Sequence, residues 1–219
     1  MKVRSTRYCG FLIAALLLVT ARGLHAESVN QLVDNSFDSG IPSEQGGWTL
    51  FDEGRFSTDQ ARTGSQSMFH WGYSRGVPYP PFLLGSVSGS FQEFEAKPGS
   101  RWRLTGYGLT PRKLLRAPAF GVVQISYFDS EGNDLGTIET AEYDKPRAKT
   151  SHEINANSPA GEWVFLDTGI TTAPERTAAV QAFTLYVDYS GSNTPQGVYF
   201  DDLSLCQVKP GDDNGSACE

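Results

Sequence analysis

Histidine, methionine and cysteine are scarce in this chain of 219 residues, at three, two and three copies. So few histidines cannot build a zinc cluster or a Ser-His-Asp triad with any specificity, and three cysteines do not make a disulfide-dense scaffold. Basic residues are in deficit, 18 against 25 acidic, which makes nucleic acid and anionic membranes poor partners. No Gly-rich phosphate loop precedes a helix, and helical periodicity is nearly absent. The one long apolar run, Phe11 to Val19, falls well short of the roughly 20 residues that cross a bilayer as a helix.

That run follows Lys2, Arg4 and Arg7 and precedes the small residues Ala21, Gly23 and Ala26, the pattern of a secretory signal peptide over 1–26 rather than a retained anchor. Cys9 lies ahead of the run, where no lipoprotein cysteine would sit. Of the 18 basic residues, four (Lys2, Arg4, Arg7 and Arg22) lie in this segment and no acid does, so processing leaves 14 against 25. The expectation is an exported protein, periplasmic or extracellular, without membrane insertion after processing. The remainder holds one domain, 27–206, with a polar tail, 207–219.

Two cysteines survive processing, Cys206 and Cys218. An oxidising compartment favours a disulfide between them; the alternative, a metal or redox pair, fits less well with the polar stretch Pro210 to Ser216. Asn214-Gly-Ser216 is a glycosylation sequon.

What the chain does have is short β-branched and aromatic runs between Gly, Pro, Asn and Asp. These predict strands over 29–34, 47–52, 66–73, 87–95, 101–109, 120–128, 135–140, 162–170, 178–188 and 197–206. The fold class is all-β, a two-sheet antiparallel jelly-roll sandwich. Alternation places Val123, Ile125 and Tyr127 on a core face, and Phe183, Leu185 and Val187 likewise, with Thr184, Tyr186 and Asp188 facing away. Asp129 to Asp134 reads as a hairpin turn around Gly132 rather than a calcium loop, since the distal Glu of an EF-hand is missing.

The order of landmarks is Asn35-Ser-Phe-Asp38, Gly47-Trp48, Gly64-Ser-Gln-Ser-Met68, Lys97 to Leu104, Phe128 to Gly132, Trp163 and Phe200-Asp-Asp-Leu-Ser-Leu205. It resembles the carbohydrate-binding modules of the CenC type, within the galactose-binding-like jelly rolls, from about residue 29 to 206. The resemblance implies a structural calcium where the first and last strands meet, held by Asp38 and Asp201 with backbone carbonyls; the alternative is a pair of ordinary turn carboxylates. It also implies that Trp48, Trp102 and Trp163 are structural.

A sugar face needs flat apolar surface edged by hydrogen-bonding groups. Trp71, Tyr73, Tyr107, Tyr186 and Asp188 are the candidates, each read as pointing away from the core. The competing reading is that the segment 75–84 covers Trp71 or Tyr73. Glu93 and Glu95 share a strand face, an arrangement that jelly-roll glycosidases also use, but no third acid extends it. The leading expectation is therefore a non-catalytic module that binds polysaccharide or another glycan. Rivals are a cell-surface structural or protein-interaction domain and, further off, a small glycosidase or lyase.

Overall fold

The computed structural model describes residues 29–72, 86–112, 119–135, 149–189 and 195–212. The expected signal peptide, Tyr73, the 75–84 segment, all but the first residue of the 135–140 strand, the sequon and Cys218 lie outside these. Two antiparallel sheets face each other. One has five strands in the order β1 (Thr49–Phe51), β4 (Ser86–Glu95), β10 (Ala179–Asp188), β6 (Ala119–Phe128) and β7 (Lys149–Thr150). The other has the order β2 (Gly54–Ser57), β3 (Ser67–Gly72), β11 (Gln196–Val208), β5 (Arg101–Leu109) and β8 (Val164–Asp167), with β9 (Thr171–Thr172) also on β5. Among the described residues the only helical turn is the 3-10 turn Ser43–Gln45, and no helix is long and apolar enough to cross a membrane. The jelly-roll sandwich read from the sequence is the fold observed.

The expected strand at 29–34 does not form. Residues there run beside β11 as an irregular segment tied to it by hydrogen bonds: the Gln31 amide donates to Leu205 O (2.8 Å), the Leu203 amide to Asn35 O (2.9 Å), and the Asn30 side chain to Leu203 O (2.9 Å). Asp34 and Phe37 sit at positive φ, which breaks the regular ladder and swings Phe37 into the core against Trp48, with ring centroids 5.0 Å apart. The ends of the domain close on each other, as the first and last landmarks imply.

The core between the sheets holds Trp48, Trp102, Leu104, Val123, Ile125, Tyr127, Val198, Phe200, Leu203 and Leu205. Trp163 does not join it and is only partly buried. In β11 the inward residues are even-numbered up to Phe200 and odd-numbered from Leu203. The switch occurs where the pairing with β5 slips between Asp201 and Ser204, with Asp202 at φ 48°. Such a bulge inserts one unpaired residue and reverses the alternation.

One reading of strand faces is overturned. Tyr186 and Asp188 are fully buried, at 0% exposure, while Phe183 and Leu185 are partly exposed, as are Ala179 and Gln181 in the same alternation. Pairing explains the reversal. Thr184 stands beside Val123 on β6 and Ser90 on β4, so it faces inward with them, and Phe183 stands beside Phe91 and Gln124 on the outer face. Three of the inward polar groups bond to one another, while His70 Nδ1 is left without a partner among the described residues. Ser90 and Thr184 hydroxyls lie 2.7 Å apart, and His70 Nε2 lies 2.8 Å from Thr184 Oγ1. His70 is itself fully buried, as its place in the alternation predicts; burial lowers its pKa to about 3 and keeps it neutral. The imidazole fits because β2 has glycine at Gly54, where a Cβ would lie 2.7 Å from His70 Nδ1.

Candidate functional site

Trp71 and Tyr107 both lie on the outer face of the six-stranded sheet, as read from the sequence. Tyr186 and Asp188 are removed from any sugar face by their burial in the interior, and Tyr73 is outside the described residues. On β3, Met68 and His70 turn inward, so Phe69 and Trp71 turn out. Phe69 stacks between two neighbours: its centroid is 5.4 Å from Trp71 at 15° and 4.3 Å from Tyr199 at 26°. Gly197, opposite Trp71 on β11, leaves room for this, since a Cβ there would lie 2.6 Å from the Phe69 ring. The Arg55 guanidinium stands over both rings, 5.6 Å from Phe69 and 5.4 Å from Trp71.

These groups border a groove of about 350 Å³, completed by Pro111, Arg112, Pro195 and Gln196. Arg112 is held there by donating from Nη2 to Pro195 O, 2.5 Å away. The groove's described lining contains no carboxylate, histidine, serine or cysteine, so what it offers is stacking surface and N–H donors rather than an acid, base or nucleophile.

Tyr107 belongs to a separate hollow on the same face. Phe165 meets its ring edge-on at 5.3 Å, and the Arg62 guanidinium covers the ring at 3.5 Å while pairing with Asp202 at 2.6 Å. Next to it, Arg103 and Asp167 form a two-pronged pair at 3.0 and 2.9 Å.

Asp38 and Asp201 converge on the turn that carries Arg62. The Ser65 and Gln66 amides donate to Asp38 Oδ1 at 2.5 and 3.1 Å, and these bonds, the Ser65 amide foremost, hold its carboxyl below the usual range. Gly64, at φ 61°, packs so closely that a Cβ would lie 1.9 Å from Asp38 Oδ2. The Arg62 and Thr63 amides donate to Asp201 Oδ2 at 2.7 and 3.4 Å, and the Asp202 amide to Oδ1 at 2.8 Å. Asp201 is fully buried, and burial raises its pKa to about 6 despite these bonds. A cation at these carboxylates would have to displace amide donors, and among the described residues no group of three or more His, Cys, Asp or Glu is placed to hold a metal.

The other sheet carries an aromatic row that the sequence reading missed. Phe51, Phe91 and Phe183 follow one another across β1, β4 and β10, with centroids 6.5 and 5.4 Å apart. The signal lay in β4, where Ser86, Ser88 and Ser90 alternate and mark the polar side that faces inward. Glu93 and Glu95 are exposed on that strand, and their cross-strand neighbours on β10 are Gln181 and Ala179. The Gln181 amide donates to Glu93 at 2.7 Å. No second carboxylate faces either of them from β10.

With the geometry in place, solved structures supply the comparison. The chain is similar to the C-terminal family 22 carbohydrate binding module of Clostridium thermocellum Xyn10B, at 14% identity over 80% of this chain and 94% of that one, with a TM-score of 0.50. This chain shares the jelly-roll fold of that module. The jelly roll is also similar to the enzymatically active domain of bacteriophage CBA120 tailspike protein 4, at 13% identity and TM-score 0.50, covering 82% of this chain but only 21% of that one. TmCBM61 in complex with β-1,4-galactotriose aligns over 83% of this chain and all of its own, at 14% identity and TM-score 0.48. No family model and no curated protein sequence matches the chain. At such identities the likeness concerns the jelly roll alone.

Proposed function

We propose that this protein is an exported, non-catalytic glycan-binding module, CenC-like in its sequence landmarks, that takes sugar rings in the groove around Trp71. The observation that carries the reading is the stack of Trp71, Phe69 and Tyr199 beside an open groove edged by guanidinium and amide donors. Stacked aromatics give a pyranose C–H face a flat apolar floor at low entropic cost, and the donors bind its oxygens. The fold shared with the Clostridium module supports the reading; the groove lining, without an acid, base or nucleophile, supports binding over hydrolysis.

The proposal keeps the disulfide of Cys206 with Cys218, supported by export and by the full burial of Cys206 beside Val208. An intact mass about two daltons below the reduced value supports it, and two titratable thiols remove it. It also keeps calcium as a brace of the 62–66 turn rather than as a sugar contact, supported by the convergence of Asp38 and Asp201. A chelator that lowers the melting temperature supports this; an unchanged curve with no metal by elemental analysis removes it. The apolar row Phe51, Phe91 and Phe183 favours the second reading, a protein-interaction face. A glycan array probed with residues 27–219 separates the two, since retention on any glycan supports the module and a blank array favours the interaction domain.

A further inference from the structure

We propose, building on the glycan-binding reading above, that the Trp71 groove is specific for an acidic glycan, one whose uronate carboxylate lies between Arg55 and Arg112. The chain as a whole is acidic, with a formal charge of −7, yet the groove's described lining bears two guanidiniums and no carboxylate. Its polar side chains are Arg55, Arg112, Gln196 and the Trp71 indole, so donors far outnumber acceptors. Neutral sugar hydroxyls donate as readily as they accept and are best met by a mixed border; a carboxylate only accepts and is best met by this one.

Each arginine is positioned for that task. Arg55 is steered by its ring contacts, and its ion pair with Asp59, 3.2 Å through Nη2, has side chains 54% and 61% exposed, so it is a weak, water-screened competitor. Arg112 is oriented by the Pro195 carbonyl through one nitrogen, and a guanidinium carries five N–H donors in a fixed fork. A pyranose lying on Trp71 projects its exocyclic carboxylate from the ring edge, toward the groove rim where the guanidiniums stand, and charge-assisted pairing there is stronger than bonding to a hydroxyl. The sequence concentrates positive charge in the same stretch: from Arg101 to Phe128 stand Arg101, Arg103, Arg112, Lys113 and Arg116, without an acid.

Affinity electrophoresis of the processed protein tests this with three polymers: polygalacturonate, the same polymer fully methyl-esterified, and neutral xylan. Retention on polygalacturonate is expected, weakened about tenfold or more by esterification and by raising salt to ~0.5 M. Arg112→Gln and Arg55→Gln are each expected to weaken it about tenfold, with unchanged melting temperature and with a smaller loss of any binding to neutral xylan. Equal, Trp71-dependent retention on all three polymers overturns the acidic preference and leaves the glycan reading standing. Retention on a single-stranded oligonucleotide with none on polygalacturonate also overturns it. No retention on any glycan overturns both.

Discussion

On the six-stranded sheet the outward aromatic row is Trp71, Phe69 and Tyr199, capped by Arg55 and opening on a groove with Arg112 at its rim. On the five-stranded sheet it is Phe51, Phe91 and Phe183, bordered by Gln181 and Glu93. Both rows hold three rings, so ring count does not distinguish a ligand face from a packing face. The first row ends in an indole and a phenol, each with a polar handle, and meets guanidiniums; the second is hydrocarbon throughout. A sugar needs both an apolar floor and a polar border, and the first row supplies the two together.

Trp71→Ala breaks the comparison most directly. Removing a central stacking ring costs about 1–3 kcal/mol of binding, so glycan retention should fall tenfold or more while the melting temperature stays close to wild type. A large drop in melting temperature would make Trp71 a packing residue and erase the contrast between the faces. Phe91→Ala is the mirror experiment. It should leave retention unchanged and lower stability by about 1–2 kcal/mol in a denaturant titration, from the apolar area lost between Phe51 and Phe183; loss of retention would move the sugar to the other sheet.

Titration sharpens the contrast, because only the six-stranded face lies over the buried Asp201. Between pH 3.8 and about 6 the folded state holds a proton on Asp201 that the unfolded state has released, so this group lowers stability as pH rises. His70 does the opposite. Between about pH 3 and 6.5 the unfolded state carries its proton and the folded state does not, so it raises stability with pH. The two slopes oppose each other, and the lowered carboxylates Asp38, Asp129 and Asp167 act only below 3.8. Unfolding free energy should therefore be nearly flat from pH 4 to pH 6. Asp201→Asn should uncover a fall in stability on acidification of at most about 1.4 kcal/mol per pH unit; an unchanged flat profile would show that Asp201 does not hold its proton in the fold.

The smallest effect is expected at Arg62. Its pair with Asp202 and its place over Tyr107 are partly exposed, so Arg62→Ala should cost no more than about 1 kcal/mol of stability. Chemical nitration of Tyr107 should speed up while retention at the Trp71 groove is unaffected. Coupled loss of retention would join the two hollows into one site.

The sequence reading and the structure agree wherever local rules decide. Strand β5 matches its expected span residue for residue, the turn around Gly132 forms with φ 81°, and Trp71 faces outward as its alternation with Met68 and His70 requires. They part where burial on both faces cancels the alternation signal. In β10 the apolar residues Phe183 and Leu185 look like core, but Thr184, Tyr186 and Asp188 take the interior because Ser88 and Ser90 on the neighbouring strand β4 and His70 across the sandwich await them, while Val187 is buried on the other face. Such complementarity joins residues 94 and 114 positions apart, far outside the window that alternation reads. The groove itself is half legible: alternation points to Trp71 and its strand, whereas Phe69, Tyr199 and Arg55 meet only through the register of β2, β3 and β11, and Arg112 joins them from beyond β5 through Pro195.

The slip in β11 makes that strand sensitive to the parity of a change in length. With Asp202 deleted, the pairing with β5 would run on without a break, and the alternation set by Val198 and Phe200 would continue through Leu203 to Leu205, still opposite Leu104, so both core side chains would stay inside. Deleting both Asp202 and Leu203 would instead put Ser204 on the inward parity and carry Leu205 to the outer face. One- and two-residue deletions at this point should thus divide into folded and unfolded proteins, a length rule set by one residue at positive φ.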